Sequence, residues 1–315
     1  MSVERVAQIA NFNVVIGENE APMLDYFDTL IYPAFTSDFS RKEKDVEYLF
    51  KGVKLVQDKN ENFVLVGKLV KKTVLDVCSD IDHEGKLIEK DEHYSSAPYS
   101  TFAIFLKNHR MVLVPNQKGS PTLASFRSTV CRVFSEYRKQ INENVDDEKK
   151  IPEPIVKVVG IPSVKSMREA LSTVERVHEL KLRFYPLNGD IDFAGLFGNM
   201  TTELRKTVGS KNGETILKSP KNVEGIAKVL EEAAGTVEPV LTVTTKEKAK
   251  VKLKENEITE RYKIKLSEDN SFEEESKEVV KETEGLNLIE YSNENHENIY
   301  KRNKEKIIKF VSKNS

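Results

Sequence analysis

The segment Phe102–Pro115, FAIFLKNHRMVLVP, sets four polar residues between two apolar runs. Its centre, Lys107, Asn108, His109 and Arg110, combines an imidazole that can move a proton near neutral pH with two cations suited to a phosphate. The same four residues also fit an idle hairpin tip. The other histidines are His83, His93, His178 and His296, and none stands at the short His–His or Cys–His spacing of a metal site. SDIDHEGK, Ser79–Lys86, gathers Asp80, Asp82, His83 and Glu84. Clustered carboxylates of this kind hold the divalent ion of a metal-dependent nuclease. They are equally at home in a turn, which is the favoured reading here. In NGDID, Asn188–Asp192, Asn-Gly suits a turn, and Asp190 or Asp192 suits the cap of a helix starting near Phe193. GSKNGETI lacks the order of a phosphate loop, GIPSVKS before a helix is only a generic anion site, and no GxSxG elbow occurs. Cys78 and Cys131 are far apart and each adjoins a valine, so buried free thiols are expected. No catalytic residue, metal site or cofactor site is identified.

Charge position says more. From Phe102 to Ile141 seven basic residues face one acid, Glu136, in a chain whose net charge is -2. From Glu268 to Glu305 twelve acids face five bases. Arg127 and Arg138 lie about three helical turns apart and share a face. With Arg110 and Lys118 they are the candidate phosphate contacts, with Lys107 and His109 at the rim. Such a strip could follow a nucleic-acid backbone. It could also be a solvated helix face, or be covered by the acidic segment. A second basic pattern, Lys246, Lys248, Lys250, Lys252 and Lys254, alternates in strand register, as an edge strand guarded by lysines would.

The elements that must position these groups read as α+β. In the first half, strands are expected at Val6–Ile16, Tyr48–Val56, Asn62–Val77, around Leu87, at Ser100–Leu106 and at Met111–Val114, with a turn at Lys59–Asn62. Gly52 and Gly67 inside strands suggest bulges or close contacts. Ala21–Phe35 reads as a helix. A second helix follows Ser120-Pro121, with Ser120 as cap and an apolar stripe of Leu123, Phe126, Val130, Val133, Tyr137 and Ile141. Together these predict a curved antiparallel sheet with packed helices over residues 1–145. INENVDDEKKIPEP, Ile141–Pro154, reads as a linker. Residues 151–315 then predict a second α+β domain of alternating strands and helices. It ends in a three-strand meander and a helix from about Asn293 to Lys313.

At 315 residues with 38% apolar content, the chain can bury two cores. No apolar run approaches about 18 residues, so no transmembrane helix is expected. The N-terminus lacks a signal-peptide pattern, which leaves a reducing cytoplasm as the default compartment.

The stretch YSTFAIFLKNHRMVLVPNQKGSPTLASF, Tyr99–Phe126, resembles the A-protein family of the phage lambda Rex exclusion system. Both have a strand, a short polar turn, a second strand and a glycine-containing loop into a helix. The second half is similar in element order, including RFYPLNGDID. The resemblance implies a soluble homodimer that binds DNA with little sequence preference, senses phage replication intermediates and acts through a separate membrane protein. It carries no residue-level assignment. The leading expectation is therefore a cytoplasmic DNA-binding component of phage defence. A metal-dependent nuclease using Asp80, Asp82 and Glu84, or Asp190 and Asp192, is one alternative. A protein–protein adaptor is the other.

Overall fold

A computed structural model describes residues 2–188 and 204–311. Its organising element is β1 (Ser2–Ile16), fifteen residues long, which pairs along both edges. One edge meets β8 (Arg110–Pro115) and, at its end, the two-residue β2 (Ala21–Pro22). The other edge takes β14 (Arg261–Ser267) beside Ser2–Gln8 and β9 (Pro154–Gly160) beside Ala10–Ile16. Outward from β8 the sheet continues through β7 (Tyr99–Phe105), β5 (Phe63–Ile81), β4 (Val46–Gln57) and β3 (Ser40–Glu43), all antiparallel. The sheet curls into a half-barrel. Among the described residues β6 (Leu87–Ser96) pairs only with the far end of β5.

Alternation in these strands builds two cores, because successive side chains face opposite sides. Phe12, Val14 and Ile16 of β1, with Leu65, Phe102, Ile104 and Leu113, face α2 (Leu123–Asn142). Ala7, Ile9, Val64, Val66, Ala103 and Val112 face the other way, onto α7 (Phe272–Thr283) and α8 (Asn287–Glu290). The α2 stripe holds as expected: Leu123, Phe126, Val130 and Val133 are fully buried. Phe126 sits edge-on to Phe12, Phe50 and Phe102. The cap differs. Thr122 accepts from the Ser125 N–H at 3.3 Å, while the Ser120 hydroxyl is engaged by Asn116. Gly67 is a close-contact glycine, since a Cβ there would lie 2.9 Å from Phe102 and Val53. Gly52, with φ +60, marks a bulge in the β4–β5 register.

The single helix expected at Ala21–Phe35 is a 3-10 turn (Met23–Tyr26), a π turn (Phe27–Ile31) and α1 (Tyr32–Thr36). Pro33 has no N–H to donate and crowds the preceding turn, so the ladder widens just before it. The segment Ile141–Pro154 does hold a polar connection with a 3-10 turn at Asp147–Lys149, but it does not separate two self-contained halves. β9 and β14 lie beyond it and close the open edge of β1. α7, α8 and α9 (Glu294–Ile308) also pack on the first sheet. Backbone hydrogen bonding of a long central strand demands such partners wherever in the sequence they come from.

What remains between β9 and β14 is a second layer. Its four-stranded sheet has the order β11 (Gly213–Lys218), β10 (Val174–Phe184), β12 (Glu238–Thr245), β13 (Lys250–Lys254). α3 (Val164–Leu171), α5 (Val223–Glu232) and α6 (Glu255–Ile258) accompany it, and α4 is a single turn at Arg205–Thr207. The expected three-strand meander is broken, because β14 crosses to β1 instead of pairing with β13. The helix expected from Phe193, with Asp190 or Asp192 as its cap, lies outside the described residues except at its end.

Candidate nucleic-acid interface

The KNHR turn is not an open tip. His109 is fully buried in the left-handed conformation, φ 57, and closes the turn by donating its N–H to the Phe105 carbonyl at 2.8 Å. The Asn108 side chain donates to the carbonyls of Ile289 and Tyr291 at 2.6 and 2.8 Å, which seals the turn beneath the C-terminal segment. Arg110 is 5% exposed and donates to the Ala234 carbonyl at 2.8 Å, just past the end of α5, where helix carbonyls attract a cation. Burial pushes its guanidinium pKa down to about 10, so it stays charged at neutral pH. Asn188 approaches His109 Nδ1 at 3.1 Å, and the His296 ring stands perpendicular to that of His109. The turn is therefore a junction between the two sheets and the C-terminal helices. His109 and Arg110 do not reach solvent as the sequence pattern led us to expect.

The other expected contacts are dispersed. Lys107 pairs with Glu297 of α9 at 3.2 Å, so the acidic C-terminal segment covers this one cation. The rest of that segment serves the back of the sheet, where Glu273 pairs with Lys54, Glu275 with Lys68 and Glu290 with Lys59. Lys118 is exposed in the loop before α2. Arg138 turns to the Ile151 carbonyl at 3.5 Å, helping to pin the connection into β9. Arg127 alone joins other cations. It lies 4.0 Å from Glu238, which also meets Lys157 of β9 at 3.6 Å and Arg183 of β10 at 3.4 Å. Three cations thus share one carboxylate beside a cleft of about 470 Å³.

That cleft opens onto the second sheet, whose two faces differ. Leu180, Leu182, Leu241 and Val243 point to one side, where Met167 of α3, Ile226 and Leu230 of α5 and Ile258 of α6 cover them. The residues between them point to the other side. Antiparallel register places directly paired residues on one face, giving the rows Ile216–Lys181–Val240–Lys254, Lys218–Glu179–Thr242–Lys252 and Arg176–Thr244–Lys250. Glu214–Arg183–Glu238 completes the face at the cleft. Seven bases stand here against three acids, before Arg127 and Lys157 are added. Lys250, Lys252 and Lys254 are exposed and make no ion pair among the described residues. Lys181 and Lys218 are partly neutralised by Glu214 and Glu179.

The lysine alternation was readable in the sequence, although its first members are not in the strand. Lys246 and Lys248 belong to the turn before β13, and Lys248 pairs with Glu175 at 2.6 Å. β13 is indeed an edge strand, as the lysine pattern suggested, and its lysines also line an open face. Arg176, Lys181 and Arg183 carry no sequence signal of their own, because they alternate with a buried run in β10.

Neither cysteine is buried as expected. Cys78 lies on the outlying part of β5 and Cys131 on the outer side of α2, and both are exposed. The Asp80–Glu84 cluster is turn chemistry. Asp82 accepts the N–H groups of Glu84 and Lys86 at 2.9 Å each, and Asp80 pairs with Lys90 at 2.7 Å. Among the described residues no group of three or more His, Cys, Asp or Glu side chains is placed to hold a metal ion. Asp190 and Asp192 lie outside the described residues. Also among the described residues, no helix is long and apolar enough to cross a membrane. Comparison of the sequence with known protein families and with curated proteins returns no match.

Proposed function

We propose that this protein binds nucleic acid without sequence preference, through the open face of the second sheet together with Arg127 and Lys157. The observation that carries the reading is the row Lys250, Lys252, Lys254, three exposed ammonium groups on one strand face with no ion pair among the described residues. Alternate residues of a strand stand about 6.8 Å apart, close to two axial steps of about 3.4 Å on one nucleic-acid strand. A second line of cations, Lys181 and Arg183, runs beside them across β12. Among the described residues the paired rows of the open face hold no Phe, Tyr or Trp on which bases could stack; the His178 ring on that face is tied to the Thr244 hydroxyl at 2.7 Å, and Phe184 at the cleft is buried. Contacts to phosphate position a duplex but do not read it. The chemistry therefore favours backbone recognition with strong salt dependence.

The wider role, a sensor in phage exclusion acting with a membrane partner, is proposed on the resemblance of Tyr99–Phe126 to the Rex exclusion A-protein family. The experiment that tests the binding itself is fluorescence anisotropy with two duplexes of unrelated sequence over a salt series. Equal affinities that fall steeply and in parallel with salt support the reading. A strong preference for one duplex, or no retention of either at low salt, defeats it.

A further inference from the structure

β5 and β6 run on beyond the first sheet as a free two-stranded arm. β7 accompanies β5 only to Val70 and β4 only to Lys72, while from Thr73 to Ser96 the two strands pair, among the described residues, solely with each other. A lone two-stranded ribbon is marginal in water and calls for a second layer. This one also exposes five of the fifteen large apolar side chains found exposed among the described residues: Val74, Leu75, Ile81, Leu87 and Tyr94. Four of them share a face through the pairs Leu75–Tyr94 and Ile81–Leu87, which stand at its two ends. Between those ends the same face carries Glu92 and Glu89, opposite Val77 and Ser79. Over Thr73–Ser96 there are seven acids and two lysines. The arm is thus an acidic surface with apolar ends.

Two occupants could be drawn from a second copy of this chain. Stacking arm on arm would bring Glu89 and Glu92 of both copies together at the centre of an apolar contact, where like charges oppose association. The open face of the second sheet offers the complement. Ile216 and Val240 lie in one row with Lys181 and Lys254, and Lys252 stands in the next. Lysine stems pack on apolar surface while their ammonium groups reach the carboxylates.

We propose that the β5–β6 arm of one copy docks on the open basic face of the second sheet of another copy, so that self-association and nucleic-acid binding compete for that face. The competition rests on the function proposed above; the docking itself does not. Arm and face are different surfaces, so the contact is heterologous and each copy keeps a free arm and a free face unless a ring closes. Carboxylates of the arm occupy the positions that phosphates would take. A nucleic acid chain, with its higher charge density, displaces them and frees single copies onto the backbone.

The test is sedimentation velocity of the full chain at low salt, over a concentration series, with and without an unrelated-sequence duplex. Ile81→Ser with Leu87→Ser alters only exposed arm residues, and Lys252→Glu with Lys254→Glu alters only exposed face residues. Each pair should weaken self-association at least about tenfold, because it removes apolar burial in one case and complementary charge in the other. Mixing a Glu89→Lys, Glu92→Lys chain with the Lys252→Glu, Lys254→Glu chain should restore it. Added duplex should dissolve the assemblies of the unaltered protein. A monomer at every concentration overturns the docking. So does association that the arm substitutions abolish and the lysine substitutions leave intact, since that is arm on arm. Duplex binding abolished by Lys252→Glu, Lys254→Glu in a strictly monomeric protein sinks the docking and leaves the proposed function standing. Self-association that obeys both pairs, in a protein that binds no duplex, does the reverse.

Discussion

Replacing Lys250, Lys252 and Lys254 together by Gln removes three cations that have no ion-pair partner among the described residues, so little else changes. They lie on an edge strand and are exposed, and surface changes of this kind shift stability by about 0.5 kcal/mol or less. Taking one cation away from a phosphate flattens the slope of log K against log salt by about 0.9 for duplex DNA, so taking away three flattens it by about 2.7. If the two proteins converge near about 1 M salt, where screening is nearly complete, the variant binds about a hundredfold more weakly at about 0.15 M. Fluorescence anisotropy across a salt series reads both numbers, and a thermal melt confirms that the fold is intact. A variant with an unchanged slope and an affinity within about twofold of the parent would show that these lysines do not meet phosphate, and the geometric reasoning would fail with them.

Other consequences follow from the same packing. Arg127→Gln should weaken duplex binding and reduce the salt slope by about 0.9, whereas Arg138→Gln, which only gives up a hydrogen bond to the Ile151 carbonyl, should leave the slope unchanged. Phe126→Ala empties the centre of the aromatic cluster and should cost about 3–5 kcal/mol in urea denaturation. Glu275→Gln strands the buried Lys68 ammonium, which rests 3.1 Å from Glu275 and over the Tyr99 ring, and should cost about 3 kcal/mol. Burial alone would raise the Glu275 pKa, but hydrogen bonds from Thr101 and Tyr99, with Lys68 beside them, outweigh it and hold the carboxyl below its ordinary value. Its contribution is therefore complete above the ordinary glutamate pKa and is lost as pH falls through the lower folded value. Urea midpoints of parent and Glu275→Gln should accordingly converge on acidification. The Asp80–Glu84 turn should support no cleavage of plasmid DNA with magnesium or manganese, because Asp80 and Asp82 are committed to Lys90 and to the turn, so any cutting should survive Asp82→Asn. Cleavage that Asp82→Asn abolishes would revive the nuclease reading.

Much of the first sheet was legible because its strands alternate over long runs. Ala103 and Phe105 face one core while Phe102 and Ile104 face the other, and both periods show in the sequence. The α2 stripe was readable for the same reason. α7 was not, since its buried Val279 and Val280 sit in a segment dominated by glutamate that reads as solvated surface. The destination of β14 was equally hidden. RYKIKLS alternates like any strand, and nothing local distinguishes β13 from β1 as its neighbour. The KNHR turn misled for a related reason. Its cover comes from the Ile289 and Tyr291 carbonyls about 180 residues away, and a backbone acceptor has no sequence signature. The lysines of β13 announced a one-sided charge. That their side is the open one depends on α3 and α5 packing against the opposite face.

The most direct test of the central claim is amine acetylation of the full chain, followed by mass spectrometry, with and without excess duplex DNA. The account expects Lys250, Lys252 and Lys254 to be protected by the duplex while Lys72 and Lys301, also exposed but on the first sheet and on α9, react as before. Protection that falls on Lys72 or Lys301 instead, or uniform reactivity of all five, would contradict it.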